Sequence, residues 1–301
     1  MIANPNKDKR CGICERWQGD RASTLSPGSS PGLVKINGTQ LGKCPRNSGT
    51  ISAQTYLWGI ANQKLNVKAC HNFIKDYYND WFPKLPGYKA YNARVCYLAD
   101  AIKMLASVLL GDLGFDTSHS DFVMDSMPIV VAGSKRSGSA KAAAELCNKG
   151  YCASKNMYYY GLKLHILAQC NHKAMPTPAL MTLSKASTHD INIGKELLYD
   201  LRNIRVFCDT AYIDKAWQEY MLVEQGVEII TPIKRKKNQE FLSAADKLFS
   251  RAVSSVKQTI ESLNNWLIEK TNIQQASKVR SAAGLTAFVF ARIACAVLLR
   301  I

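Results

Sequence analysis

The stretch "FVMDSMPIVVAG", Phe122 to Gly133, decides the fold because it has the composition of a buried strand with one acidic residue near its middle. Nearly every side chain in it could line a core, yet Asp125 carries a charge. An ionised carboxylate in an apolar strand is costly unless it is paired, hydrogen-bonded or bound to a metal. A second stretch, "IRVFCDTAYID", poses the same problem at Asp209. Both aspartates therefore require a structural or chemical reason.

The segment that follows the first stretch continues as strands. In "YYYGLKLHILAQ", Leu162, Leu164 and Ile166 fall on one face while Lys163 and His165 fall on the other, which is the pattern of a half-buried strand. Further strands are predicted in "PALMTL", "IRVFCD" and "VEIITPI", with helices over about residues 192–202 and 215–225. Three strands followed by alternating helix and strand predict an α/β layered structure with five strands.

Helical patterns stand on both sides of this region. Residues 51–113 are predicted to be helical, with a break at "FPKLPGY" and one apolar face formed by Leu98, Ile102, Leu105 and Leu109. A long helix near the C-terminus is predicted to lay one stripe on the sheet, with Glu261 at the edge of that stripe; its members are Val253, Val256, Ile260, Leu263 and Leu267.

Composition restricts the partners. The chain has 301 residues, 39 Lys and Arg against 23 Asp and Glu, and a formal net charge of +16, which indicates nucleic acid or an anionic surface as the partner. The most apolar stretch, "GLTAFVFARIACAVLLRI", carries Arg292 at its centre and is interpreted as a core helix, so no membrane association is expected. The N-terminus lacks an apolar signal segment, so we expect a cytoplasmic protein with reduced thiols.

Asp125 and Asp209 lie at or near strand ends, and Glu261 lies on a helix expected to pack over the same sheet. Three carboxylates far apart in sequence could thus converge. Their hard oxygen atoms suit Mg²⁺ or Mn²⁺, and two such ions about 4 Å apart can clamp the attacking and leaving oxygens of an in-line displacement at phosphorus. In the competing interpretation each aspartate is a turn or helix cap, and Glu261 is a surface partner of Lys257.

Several motifs in this order resemble the DDE transposases of bacterial insertion sequences: "DSMPI", "KGY", "YYYGLKLH", "THD", "CDTAY", "IESLNNWLIEK" and "VRSAAGL". The similarity covers about residue 67 to the C-terminus. It implies a ribonuclease H-like fold, with a mixed five-stranded sheet flanked by helices. It also implies that Asp125, Asp209 and Glu261 bind two Mg²⁺ or Mn²⁺ ions. The implied activity is cleavage at the ends of an inverted-repeat element, followed by attack of the freed 3′-OH on target DNA.

The helix that carries Glu261 departs from this family. Many relatives place Tyr and Arg before the glutamate and Lys seven residues after it, where this chain has Ser254, Lys257 and Ile268. Two other functions therefore stay open, a metal-dependent nuclease that cuts without joining and a decayed copy that binds DNA without reacting. Transposases usually work as homodimers or larger synaptic assemblies, so self-association on DNA is expected. Other carboxylates that compete for the third position are Glu240, Asp246 and Glu269.

Basic residues at predicted strand ends, together with Lys163 on a strand face and Lys257 on the long helix, are the candidate contacts to double-stranded DNA, both to the terminal inverted repeats and to the target. Solvated loops are the alternative interpretation. The candidates are Lys135, Arg136, Lys141, Lys149, Lys163, Lys234, Arg235, Lys236, Lys237 and Lys257. We expect His165, His189 and Asp190 to be structural, and Tyr212 to pack in the core rather than to stack on a base.

The N-terminal part has a different composition. Its Ser/Pro/Gly-rich run and the cysteines Cys11, Cys14 and Cys44 suggest a small zinc or iron–sulfur module, which would need a fourth ligand such as Cys70 or His71. Free thiols in a tail are the alternative. We expect three regions: a loop-rich segment over 1–50, a helical DNA-binding domain over 51–116 and a ribonuclease H-like catalytic domain over 117–301.

Overall fold

The computed structural model describes residues 25–27, 34–36, 48–113, 120–235 and 239–300, with side chains from residue 51 onward. In the N-terminal part, β1 (Leu25–Pro27) pairs antiparallel with β2 (Val34–Ile36). The predicted metal-binding cysteines, Cys11, Cys14 and Cys44, lie outside the described residues, as do Lys236 and Lys237.

In the described part of the chain, four helices come before the central sheet, namely α1 (Ser48–Ala61), α2 (Val67–Tyr77), α3 (Tyr88–Tyr97) and α4 (Ala99–Asp112). The predicted break at "FPKLPGY" falls between α2 and α3. The predicted apolar face of α4 is only partly right. Its buried positions are Ala99, Ile102 and Ala106, whereas Leu105 is 38% exposed. The face is rotated because α4 packs closely on the last helix of the chain through alanines.

The central sheet is mixed and curled, and it has six strands: β3 (Asp121–Ala132), β4 (Asn148–Cys152), β5 (Met157–Asn171), β6 (Ala174–Lys185), β7 (Arg205–Phe207) and β8 (Glu228–Ile230). β3 pairs antiparallel with β5 and parallel with β7, which pairs parallel with β8. β4 pairs with the first residues of β5, and β6 pairs with the rest of that strand. The expected ribonuclease H-like architecture is confirmed, with β4 as a strand beyond the five predicted.

Helices cover both faces of the sheet. One face carries α5 (Asp190–Leu198) and α6 (Lys215–Gln225) around a core that includes Met124, Leu167 and Tyr212. The other face carries α7 (Ala244–Thr271) and α8 (Ala282–Leu298), and α1 to α4 share its core. The predicted stripe of α7 is confirmed, with Val256 half-buried and the other four members buried: Val253, Ile260, Leu263 and Leu267.

Two further features support this arrangement. The segment after α7 continues the pairing of β3 beyond β7, since Val130 N donates to Gln274 O at 2.7 Å and Ala276 N donates to Val130 O at 2.9 Å. Arg292 is fully buried in α8, as expected for a core helix. Over the described ranges, the helices all fall short of the length and apolar character needed to cross a membrane.

Candidate active site

The strand register brings Asp125 and Asp209 to neighbouring positions. The last parallel pair between β3 and β7 joins Val123 to Phe207, and each aspartate comes two residues after its strand's member of that pair. Because side chains alternate along a strand, both aspartates point to the face of Val123. That face packs against α7. The two carboxylates are thus set beside each other by pairing between strands that are distant in sequence.

Asp125 is half-buried on β3. Its Oδ2 accepts a hydrogen bond at 3.2 Å from Nδ2 of Asn264, a buried residue of α7. Burial raises the pKa of Asp125 to about 6, although the nearby Lys257 ammonium acts in the opposite direction. The site therefore holds a carboxylate whose charge is only partly compensated, which is the condition in which an added cation binds favourably.

Asp209 is better compensated. It begins a short 3₁₀ turn, Thr210–Tyr212, where its Oδ1 accepts from Thr210 N at 2.7 Å. Its Oδ2 lies 3.1 Å from Nζ of Lys257. Burial alone would raise the pKa of Asp209, but the Lys257 charge and the hydrogen bonds from Lys257 and Thr210 outweigh it, so the pKa is lowered. Asp209 thus both caps the turn and faces the site.

One flank of α7 supplies the side chains that meet these aspartates. Lys257, Glu261 and Asn264 are spaced by four and three residues, so they lie along the same side of the helix. Lys257 contacts Asp209 and Asn264 contacts Asp125, while Glu261, between them, is exposed. Within the described part of the chain, no three His, Cys, Asp or Glu side chains are grouped closely enough to hold a metal. The structure therefore joins the two aspartates but leaves Glu261 apart.

Asn264 is a site residue that the sequence reasoning missed. Its position three residues after Glu261, inside an apolar stripe, was the available signal. Its Oδ1 is buried and has no hydrogen-bond partner. Together with the carboxylates of Asp125 and Asp209 it offers oxygen donors only, which is the donor set that Mg²⁺ and Mn²⁺ prefer. The residues present are thus chemically suited to a divalent ion, and Asp125 and Asp209 are the side chains that could hold it.

The residues predicted to contact DNA lie in three different places in the structure. Lys163 lies on the opposite face from Asp125, because Asp125 pairs with Ile166 and side chains alternate along β5. Its Nζ donates hydrogen bonds to Asp190 Oδ1 at 2.8 Å and to Thr188 O at 3.0 Å. Lys257 is the basic residue that lies at the aspartates. The others in the described part are exposed on loops, a short turn or the edge strand β4: Lys135, Arg136, Lys141, Lys149, Lys234 and Arg235.

The residues expected to be structural have packing roles. His165 is fully buried, with Nε2 2.7 Å from Ser184 Oγ, and burial lowers the pKa of His165 to about 4, so the ring is neutral near pH 7. Tyr212 packs in the core with α5 and α6, as predicted. Cys70 and His71, which were named as fourth ligands for the N-terminal cysteines, are buried in the helical region, where His71 Nε2 lies 2.9 Å from Pro86 O.

Comparison with known proteins agrees with this geometry. The family model described as "Transposase DDE domain" matches residues 117–281, more than half of the chain. The matched range begins just before β3, ends after α7 and contains Asp125, Asp209 and Glu261. No curated protein and no solved structure gives a significant match. From the family match over the whole region that builds the site, the chain belongs to the DDE transposases.

Proposed function

We propose that this transposase cleaves DNA at the ends of an insertion sequence and joins the freed 3′-OH to target DNA. Asp125, Asp209 and Glu261 would hold two Mg²⁺ or Mn²⁺ ions. The observation that carries the proposal is the parallel register of β3 and β7, which sets Asp125 and Asp209 side by side on the face covered by α7. Divalent ions bound there would supply activation of the attacking oxygen and stabilisation of the leaving oxygen.

The chain's own residues would prepare this chemistry. Asn264 orients Asp125 through the hydrogen bond to its Oδ2, and Thr210 N orients Asp209. The half-buried surroundings keep water away from Asp125, which strengthens its attraction for cations. Lys257 reaches Asp209 in the DNA-free protein and would turn to a phosphate oxygen of the bound strand, since an ammonium can bind either anion. No covalent intermediate between protein and DNA is needed.

Glu261 would complete the site after DNA binds. Support comes from its place on α7, one turn after the residue that contacts Asp209 and three residues before the one that contacts Asp125. A small rotation or shift of this helix flank would turn the exposed carboxylate toward the aspartates, and displacement of Lys257 from Asp209 would remove a competing contact. Glu261 is therefore the one proposed metal ligand whose place in the site would depend on bound DNA.

Double-stranded DNA, both the terminal inverted repeats and the target, would bind the exposed basic positions. The formal net charge of +16 favours this polyanionic partner. A homodimer or larger assembly would hold the two element ends together. The proposed contact residues are Lys135, Arg136, Lys141, Lys149, Lys234, Arg235, Lys236, Lys237 and Lys257.

The test is strand cleavage and strand transfer on a labelled duplex that carries the repeats flanking the gene, with Mg²⁺, Mn²⁺ or EDTA. We expect metal-dependent cutting and joining by the wild type, and a loss of at least about a hundredfold in Asp125→Asn, Asp209→Asn and Glu261→Gln with DNA binding retained. Each substitution keeps the size and shape of the side chain and removes only its charge, so the fold should be unchanged. Cutting without joining would instead identify a nuclease.

A second candidate function has one observation in its favour. The exposure of Glu261, and its separation from the two aspartates, are what a decayed copy that binds DNA without reacting would also show. The same assay separates the two, because a decayed copy would bind the repeats but release no cleaved strand in either metal. Activity that survives Glu261→Gln would point to another third ligand.

A further inference from the structure

A hairpin at the edge of the sheet presents two aromatic rings to solvent. Tyr151 on β4 and Tyr158 on β5 are directly paired in the register and are 47% and 56% exposed. Their ring centroids lie 5.0 Å apart, and Nζ of Lys149 lies 4.8 Å from the centroid of the Tyr158 ring. Two large rings and an ammonium thus lie together on an exposed surface, where they contribute little buried area to the stability of the fold.

The hairpin holds these rings in place. Tyr151 OH donates a hydrogen bond to Asn156 Oδ1 at 2.6 Å, across the turn that joins β4 to β5. Asn156 has a positive φ of 47°, a conformation that asparagine tolerates and that closes the turn tightly. Lys155 Nζ reaches Gln274 Oε1 at 2.6 Å and ties the turn to the segment after α7. A surface ordered in advance loses less entropy when it binds a ligand.

The rings line an open cleft of about 660 Å³. Its other wall is the segment 186–191, which follows β6 and starts α5. The second ammonium in the lining, Lys163, is neutralised by Asp190 at 2.8 Å. Lys149, in contrast, has no carboxylate within ion-pair distance among the described residues. The cleft therefore combines exposed aromatic surface with one cation that is available to an anion.

We propose that this cleft binds one unpaired nucleotide of DNA, with its base against the Tyr151–Tyr158 pair and its phosphate at Lys149. Aromatic side chains next to a basic residue are the chemistry that binds single-stranded nucleic acid, because every base has a face that can stack. The inference rests on the proposed function, which brings DNA to the protein. It adds a subsite that accepts a base out of the duplex.

The two tyrosine rings are separate from the aspartates, although the cleft that they line extends to Ala211, two residues after Asp209. Tyr158 lies eight residues along β5 from Ile166, the partner of Asp125, a separation of roughly 26 Å at the usual rise per residue. The nucleotide held there would therefore belong to DNA several base pairs away from the reacting phosphate. Its binding would keep the strands apart or fix the register of the DNA end, without touching the reacting atoms.

The experiment compares the affinity of the full chain for a labelled blunt duplex and for the same duplex with a five-nucleotide single-stranded overhang, in EDTA so that no strand is cut. We expect the overhang to improve affinity about tenfold, within the range that stacking of one base gives. Tyr158→Leu should abolish this preference while leaving the affinity for the blunt duplex unchanged, and Tyr158→Phe should retain it. The matched control is Tyr220→Leu, on α6, where the tyrosine is 57% exposed.

A second readout uses 2-aminopurine placed in the overhang. Its fluorescence should be quenched by the wild type and by Tyr158→Phe, but not by Tyr158→Leu, if a base stacks on this ring. A preference for the overhang that survives Tyr158→Leu, or no preference in the wild type, would overturn the subsite while the transposase proposal stands. Failure to bind either DNA would overturn both, and circular dichroism of each variant shows that the fold is intact.

Discussion

The carboxylate of Asp125 stands where burial opposes its charge, so its protonation is coupled to folding. Burial raises the pKa of Asp125 to about 6, against about 3.9 in an unfolded chain. Between these pH values the folded protein binds more protons than the unfolded chain, so this group makes stability fall as pH rises, and the full penalty applies above about pH 6. A cation bound beside Asp125 would offset this penalty.

Asp125→Asn removes this penalty. We expect the variant to be more stable than the wild type by up to about 3 kcal/mol at pH 8. The difference should fall to about 0.5 kcal/mol at pH 4, where the folded carboxyl is protonated and the unfolded one is about half protonated, and it should vanish below about pH 3. Urea unfolding in EDTA at pH 4, 5, 6 and 8 measures it. Asp209→Asn is the matched control with the opposite sign, because the pKa of Asp209 is lowered and its ionised form is stabilised by Lys257. Equal shifts in the two variants would contradict this account.

Asn264 is expected to act through Asp125. Its Nδ2 orients the carboxylate, and its own Oδ1 is buried without a partner. Loss of such a supporting contact typically weakens metal binding tenfold or more. Asn264→Ala should therefore weaken Mn²⁺ binding about tenfold in a calorimetric titration of the DNA-free protein. The neighbouring exposed residue supplies the control, Asn265→Ala, which should bind as the wild type does. Unchanged affinity in Asn264→Ala would remove the positioning role.

At the scale of elements, close approach between strands fixes where Asp125 sits. A Cβ on Gly161 of β5 would lie 2.0 Å from the carbonyl oxygen of Ile129, so only glycine lets β5 lie this close to β3. The register also shifts at a bulge between Val130 and Ala132. These two features fix the pairing of Asp125 with Ile166, which determines the face that each neighbouring side chain takes.

The elements that could be predicted from the sequence are those whose burial leaves a periodic pattern of apolar residues. The five long or strongly apolar strands and the stripe of α7 were predictable, because periods of two and of three to four mark one buried face. β4 was missed because "NKGYC" has no such alternation and is held mainly by pairing at the sheet edge. Leu105 was misassigned because the buried face of α4 is built on Ala99 and Ala106, whose small side chains carry little apolar signal.

The site was predictable to the same extent. The apolar strand patterns located both aspartates, but only Asp209 follows a strand end as expected, whereas Asp125 lies inside β3. Their alignment depends on the pairing of β3 with β7, which no local pattern encodes. Alternation along β5 already separated Lys163 from Ile166. What the sequence lacked was the register that pairs Ile166, and not Lys163, with Asp125. The place of Asn264 in the apolar stripe indicated burial, but its contact with Asp125 depends on how α7 lies on the sheet, which no local pattern encodes.

At the scale of the whole molecule, one buried arginine joins the helical region to the sheet region. Arg292 of α8 donates from Nη1 to Tyr56 OH at 3.0 Å, from Nη2 to Leu65 O at 2.8 Å and from Nε to Thr271 O at 2.9 Å. Its guanidinium also lies 3.5 Å from the ring centroid of Phe288. These contacts link α1, the loop after it and the end of α7, the helix that carries Lys257 and Glu261. The position of α7 is therefore tied to the N-terminal helices.

Arg292→Met keeps most of the side-chain volume but leaves three acceptors without their donor. We expect a loss of about 3 kcal/mol or more in the free energy of unfolding, because each buried unpaired polar group costs about 1–3 kcal/mol. Hydrogen exchange should show faster exchange in α1 and in the last turns of α7 together, since both are held by the same guanidinium. Arg251→Met, on the exposed side of α7, is the control and should change neither. If exchange rises in α8 alone, α1 and α7 are held together by contacts other than those of Arg292, and Arg292 does not couple the helical region to α7.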